Sequence, residues 1–217
     1  MFDAWFAAWV TLVIVAAYEL WLLLAQRRWP RRLARTVHAA LREDWFASVS
    51  QHRGSEILAV QTLRNSLMSA TMTASTAMLA LMGALTLTAS SLHASFGAAD
   101  AAWPGFTPRL AMEIVMLGLL FASLIACTMA VRYYNHAGFV GGMPVESAAR
   151  RAWAAAGTAY VRKAGLLYSW GLRQLLLVVP AVAFILHPLA GVGTALAAVI
   201  ALAQFDRFQA VDETAGV

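Results

Sequence analysis

The sequence predicts an all-α integral membrane protein with about five transmembrane helices and two interfacial amphipathic helices, on three observations. Hydrophobic residues make up 61% of the 217-residue chain and charged residues only 12%, whereas about a quarter of the residues of a soluble domain are charged. The mean hydropathy is +0.66. Apolar runs at 5–25, 67–87, 110–131, 172–187 and 189–203 each approach the ~20 residues that a helix needs to cross hydrocarbon. The last two are short and meet at His187-Pro188, which leaves open a four-span form in which they make a non-crossing hairpin. The chain, 1–217, reads as a single membrane domain.

The first span is followed by Gln26-Arg27-Arg28 rather than by small residues, and Asp3 precedes it. It therefore reads as a retained anchor rather than a cleaved leader. Next, Pro30 suits the first turn of a helix, and Leu33, Val37, Leu41, Trp45 and Val49 recur every four residues with Arg31, Arg35 and Arg42 on other faces. This predicts a basic amphipathic helix over about 30–52, ending near Gly54. Ser55 is positioned to cap the helix that follows, with Glu56 in its first turn.

The stretch from Gly54 to Ser91 is the most informative. Its polar head, Gln61-Thr62-Leu63-Arg64-Asn65-Ser66, passes without a break into the second apolar run. At 100° per residue, Gln61, Thr62, Asn65, Ser66, Ser69, Thr73 and Thr76 share an arc of roughly 140°. Polar groups at membrane depth are costly and therefore face protein or water. Two readings follow. In one, several copies of the chain line a pathway with Asn65, Ser69, Thr73 and Thr76, its mouth ringed by Gln61, Arg64 and Asn65. In the other, the same residues only bond neighbouring helices.

A connection from Leu92 to Pro108 holds His93, Asp100, Trp103 and the turn pair Pro104-Gly105. Arg109 and Glu113 then stand four residues apart and can pair on one helix face. After the third span come Arg132-Tyr133-Tyr134-Asn135-His136 and Gly141-Gly142; a second amphipathic helix over about 144–164 restarts at Pro144, with Glu146 placed to pair with Arg150. Pro180 lies inside the fourth span, and Gly191 and Gly193 near the start of the fifth.

Fifteen of the sixteen basic residues fall in the segments that flank one side of this arrangement, eight of them between Gln26 and Asn65, and Arg109 stands alone on the other. The positive-inside rule then places the N-terminus outside and both long loops and the C-terminus in the cytoplasm. The implied partner of the basic side is anionic lipid headgroups, not nucleic acid. A homo-oligomer and a small ion or solute are the other expected partners.

Glu19 is the one carboxylate well inside a span and needs a cation, for which Arg64 and Arg173 stand at the same depth. His93 and His187, at the outer ends of spans, carry a more distant metal or redox reading. No nucleotide loop, nucleophile elbow, HExxH or CxxC motif is present, so no enzyme activity and no cofactor is expected. Cys127 stands alone and reads as a packing residue.

The run VQTLRNSLM from Val60, RYYNHAGF at 132–139, Gly171-Leu172-Arg173 and the closing Asp206 resemble the multi-pass membrane family catalogued as domain of unknown function 599. The resemblance covers nearly the whole chain. It implies a multi-pass protein of a bacterial inner membrane and names no reaction. A reporter fused after Val217 is expected to read cytoplasmic and one inserted at Asp100 external; the reverse pattern would overturn this topology.

Overall fold

A computed structural model describes residues 2–29, 33–96 and 106–206, with side chains from residue 4. Pro30, Arg31, the segment Asp100 to Gly105, and Arg207 lie outside the described residues. Among the described residues six helices follow in order: α1 (Phe2–Arg28), α2 (Ala34–Val49), α3 (Glu56–Phe96), α4 (Pro108–Gly142), α5 (Ala148–Leu186) and α6 (Pro188–Asp206). All but α2 are long and apolar enough to cross a bilayer. Both members of the α5–α6 pair qualify, with His187 between them.

Consecutive long helices alternate in direction. Near its start α1 lies beside the starts of α4 and α6, shown by Trp5 against Phe106 and by Ala7 beside Pro188. One end of the bundle therefore holds α2 and the α4–α5 turn, and the other the α5–α6 turn. With 41, 35 and 39 residues, α3, α4 and α5 are about 50–60 Å long, against ~30 Å of hydrocarbon. They must project beyond the membrane at one end. There α2 packs on α5, and Phe46, Leu63, Tyr134, Val140 and Val161 form a core of their own. A second core in the spanning region joins Ala8, Ala84, Met112, Met116 and Phe184.

Where the expected second amphipathic helix should stand apart, the structure has one continuous helix. The backbone runs from Ala148 through Leu186 without a break, and residues 148–164 are the projecting part of α5. Ser147 caps it, its hydroxyl accepting from Arg150 N at 3.0 Å. Glu146 pairs with Arg53 instead of Arg150. Arg150 is 1% exposed: it donates to Val140 O and, at 2.8 Å, to Ser50 Oγ, and lies over the Phe46 ring. It thereby ties the end of α2 to the α4–α5 turn. Arg162 and Glu43 add an α5–α2 pair at 3.0 Å.

At the α2–α3 turn, Gly54 has φ +81°, a left-handed conformation that glycine adopts without steric cost. Ser55 acts differently from the expected cap. Its hydroxyl donates back to Val49 O and His52 O at 2.6 and 2.5 Å, closing the end of α2. Glu56 accepts from Val145 N at 3.1 Å and binds α3 to the α4–α5 turn.

The small residues of α5 admit its neighbours. A Cβ at Gly157 would strike Phe46, one at Gly165 would strike Arg42, and one at Gly171 would lie 2.5 Å from Cys127 Sγ and 3.3 Å from Ser123 O. Ser123 Oγ donates to Gly171 O at 2.8 Å across the same contact. Gly171→Ala should therefore destabilise the protein by about 1–3 kcal/mol through overpacking, read by thermal unfolding in detergent. Gly118→Ala, where a Cβ meets open space, should not. Cys127→Ala should recover much of the Gly171→Ala loss.

Candidate functional site

Two sets of polar side chains reach into the depth where hydrocarbon penalises them. The first is buried where α1, α5 and α6 meet near the α2 end. Arg173, from α5, is 6% exposed, and its Nη2 lies 2.5 Å from both carboxylate oxygens of Asp206, the last residue of α6. Its Nη1 is 3.4 Å from Glu19 Oε1 on α1. Tyr18 donates to Asp206 through its hydroxyl, and its ring faces the guanidinium at 5.6 Å. One cation thus holds two carboxylates, one of which also has a phenol donor.

The local sequence explains the meeting. Tyr18 and Glu19 are adjacent, so they leave α1 at different azimuths, one toward α6 and the other toward Arg173. Gly171, two residues before Arg173, lets α5 sit close against α4 at this depth. Arg35, on α2, is the fifth member: its Nη2 reaches Leu166 O at 3.5 Å, and its buried Nε has no hydrogen-bond partner. Burial and the nearby Arg173 hold the Arg35 guanidinium below its ordinary pKa, against the opposing pull of Glu19 and Asp206.

The second set is the polar face of α3. The helix packs almost wholly on α4, through Ala59, Leu63, Ala70, Ala77, Ala84 and Thr88. Gln61, Thr62, Arg64, Asn65, Ser69 and Thr76 are exposed, and Ser66 and Thr73 half-buried. Four of its hydroxyls are met within their own helix. Ser66, Ser69, Thr73 and Thr76 donate to the carbonyls of Thr62, Asn65, Ser69 and Met72 at 3.2, 3.1, 2.9 and 3.0 Å.

Of the two cations expected near Glu19, the structure brings Arg173 to it, while Arg64 is exposed and forms no ion pair among the described residues. Sequence reasoning missed Tyr18 and Arg35 as members of this cluster, and took Asp206 only as the residue closing the last span, with no partner. The signal for Asp206 was its position: a lone acid ending an otherwise apolar helix at the depth of Arg173. Arg109 and Glu113 pair at 3.0 Å. His93 stands in the last turn of α3 and His187 between α5 and α6; no group of three or more metal-ligating side chains occurs among the described residues.

A bundle of apolar helices with an internally neutralised charge cluster defines an integral, multi-pass membrane protein. More particularly, the chain belongs to the family described as "Protein of unknown function, DUF599", which matches residues 6–211. No curated protein and no solved structure matches it.

Removing one partner of a buried ion pair costs about 3–5 kcal/mol because the other charge is stranded. Arg173→Gln and Asp206→Asn should each lower stability by this order, and the double variant should cost less than their sum. Arg64→Gln should leave unfolding unchanged. Additive losses for the first pair would mean that the two side chains do not interact.

Proposed function

We propose that the chain assembles into a homo-oligomer in which the polar faces of α3 surround a pathway for a small ion or solute. The observation that supports this most is the uncovered state of that face. Ser69, Thr73 and Thr76 lie within the apolar part of α3, yet Ser69 and Thr76 are exposed like Gln61 and Asn65, and Thr73, nearest the α4 seam, is only half-buried. Symmetry supplies the missing cover, since it sets equivalent faces around one axis. Arg64, Gln61 and Asn65 then stand at the mouth. Met68 and Met72, 54% and 69% exposed beside the arc, provide adaptable packing surface between copies.

The same reading puts the protein in a bacterial inner membrane with its N-terminus outside, on the bias of fifteen basic residues to one. The projecting layer of α2 with the ends of α3, α4 and α5 is then cytoplasmic, its arginines facing anionic lipid. One observation favours a non-conducting, membrane-organising role instead. The hydroxyls of Ser66, Ser69, Thr73 and Thr76 already bond to their own helix, which lets the face sit against another helix or lipid without a water column.

Labelling and flux separate the two. In a Cys127→Ala background, Ser69→Cys and Thr73→Cys should react with small water-soluble thiol reagents, and Leu67→Cys and Leu81→Cys, on the packed side, should not. Purified protein in liposomes should pass ions, and Ser69→Leu should reduce the flux. Equal labelling of both sides, or no labelling of a folded protein, removes the pathway and leaves the organising role.

A further inference from the structure

At the end of the bundle away from α2, α3, α4 and α5 leave a groove of about 530 Å³, within the ~300–1,000 Å³ range of small-molecule sites. Ala80 and Gly83 of α3 keep it open; nothing lies within 4 Å of a Cβ built at Gly83. Leu87, Met116, Leu120 and Val182 make its sides apolar. The one charged part is the rim, where Arg109 and Glu113 stand.

Glu113 is 2% exposed and has both oxygens engaged, one accepting from the Ser91 hydroxyl and the other from Arg109 Nε at 3.0 Å. This fixes the guanidinium by its Nε edge. The Arg109 side chain nevertheless remains 69% exposed, and among the described residues no other hydrogen bond engages it. The terminal amino groups of an oriented guanidinium therefore stand over an apolar slot. That edge suits bidentate binding of a phosphate, and the slot suits hydrocarbon.

We propose that this groove is a phospholipid site, holding one acyl chain against Gly83 and Leu120 with the phosphate on Arg109. Charge complementarity points to the lipid, because a phosphate joined to an acyl chain meets both the free edge of Arg109 and the apolar slot below it. Glu113, the acid beside it, is already engaged by Ser91 and Arg109, so the outward edge of the guanidinium is left to an anion from outside this bundle. The proposal does not depend on conduction by the oligomer.

Native mass spectrometry of the detergent-purified full chain, titrated with phosphatidylglycerol or with uncharged diacylglycerol, tests it. Wild type should retain phosphatidylglycerol in preference to diacylglycerol. Gly83→Leu, which fills the slot, should weaken retention about tenfold or more. Gly118→Leu, at an equally open position on the other side of α4, should not. If Gly83→Leu does not fold, Ala80→Leu on the same wall makes the same test. Arg109→Gln should remove the preference for phosphatidylglycerol and leave diacylglycerol binding unchanged. Unchanged retention in a folded slot-filling variant, or equal loss of both lipids in Arg109→Gln, overturns the proposal. A change in the number of associated chains with no change in lipid also overturns it, and makes the groove a contact between copies.

Discussion

The arrangement of α1, α5 and α6 depends on neutralising Arg173. A guanidinium at this depth and 6% exposed is stable only if anions reach it, because the desolvation penalty of a lone buried ion is several kcal/mol even after relaxation. Neither neighbour suffices by position alone. Asp206 is available because α6 ends there, and Glu19 because α1 packs chiefly against α6 and so brings its inner face to α5. The phenol of Tyr18 takes a remaining lone pair of Asp206. Such a network adds little net stability over apolar packing, but it fixes the rotation and depth of three helices at once. Apolar contacts between small residues would leave both less sharply defined.

Beyond the membrane the problem changes. The projecting ends of α3, α4 and α5 can be held by exposed pairs, and Arg53–Glu146 and Arg162–Glu43 are of that kind, each contributing little by itself. The defining contact is again a buried arginine. Arg150 meets a carbonyl, a hydroxyl and an aromatic face rather than pairing directly with a carboxylate, so its terminal amino groups are met by dipoles and the Phe46 ring, while its buried Nε has no hydrogen-bond partner. The two buried arginines thus perform the same task by different chemistry, Arg173 with counter-ions within the bundle and Arg150 with dipoles at its end.

Much of this fold was legible from hydropathy, because a bilayer forces every spanning backbone to satisfy itself as a helix. The apolar runs located all five long helices, and the four-residue recurrence from Leu33 to Val49 located α2. The continuity of α5 was not legible. An amphipathic segment followed by Gly165, Gly171 and an apolar run has the same pattern whether the helix bends at the interface or continues through it, and in the structure these glycines are sites of close approach for Arg42 and Cys127. The ion cluster was legible by half. Depth along a span follows from counting residues, which made both Arg64 and Arg173 eligible for Glu19. The choice between them is a matter of azimuth and neighbour order, which only packing decides. Asp206 was lost to the same limit, since a helix-terminal acid reads as solvated until another helix covers it.

The helix α3 is unlike its partners in being covered on one side only, and the composition of its uncovered side changes along its length. At 100° per residue, Ala80, Gly83 and Leu87 continue the arc of Asn65, Ser69, Thr73 and Thr76. The face is therefore hydroxyl-bearing from Asn65 to Thr76 and small or apolar from Ala80 to Leu87, where it borders the groove. A surface selected only to meet lipid would have no reason to carry the hydroxyls, and one selected only to line water would have no reason to lose them halfway. Such a division suits contact with two environments: polar protein or water near the basic end, and hydrocarbon beside Arg109. It also explains why the α3–α4 seam is built from Ala70, Ala77 and Ala84. Small residues bring the backbones close along the whole seam, so α3 is held firmly by one neighbour while the adjacent arc stays free to meet something outside the chain.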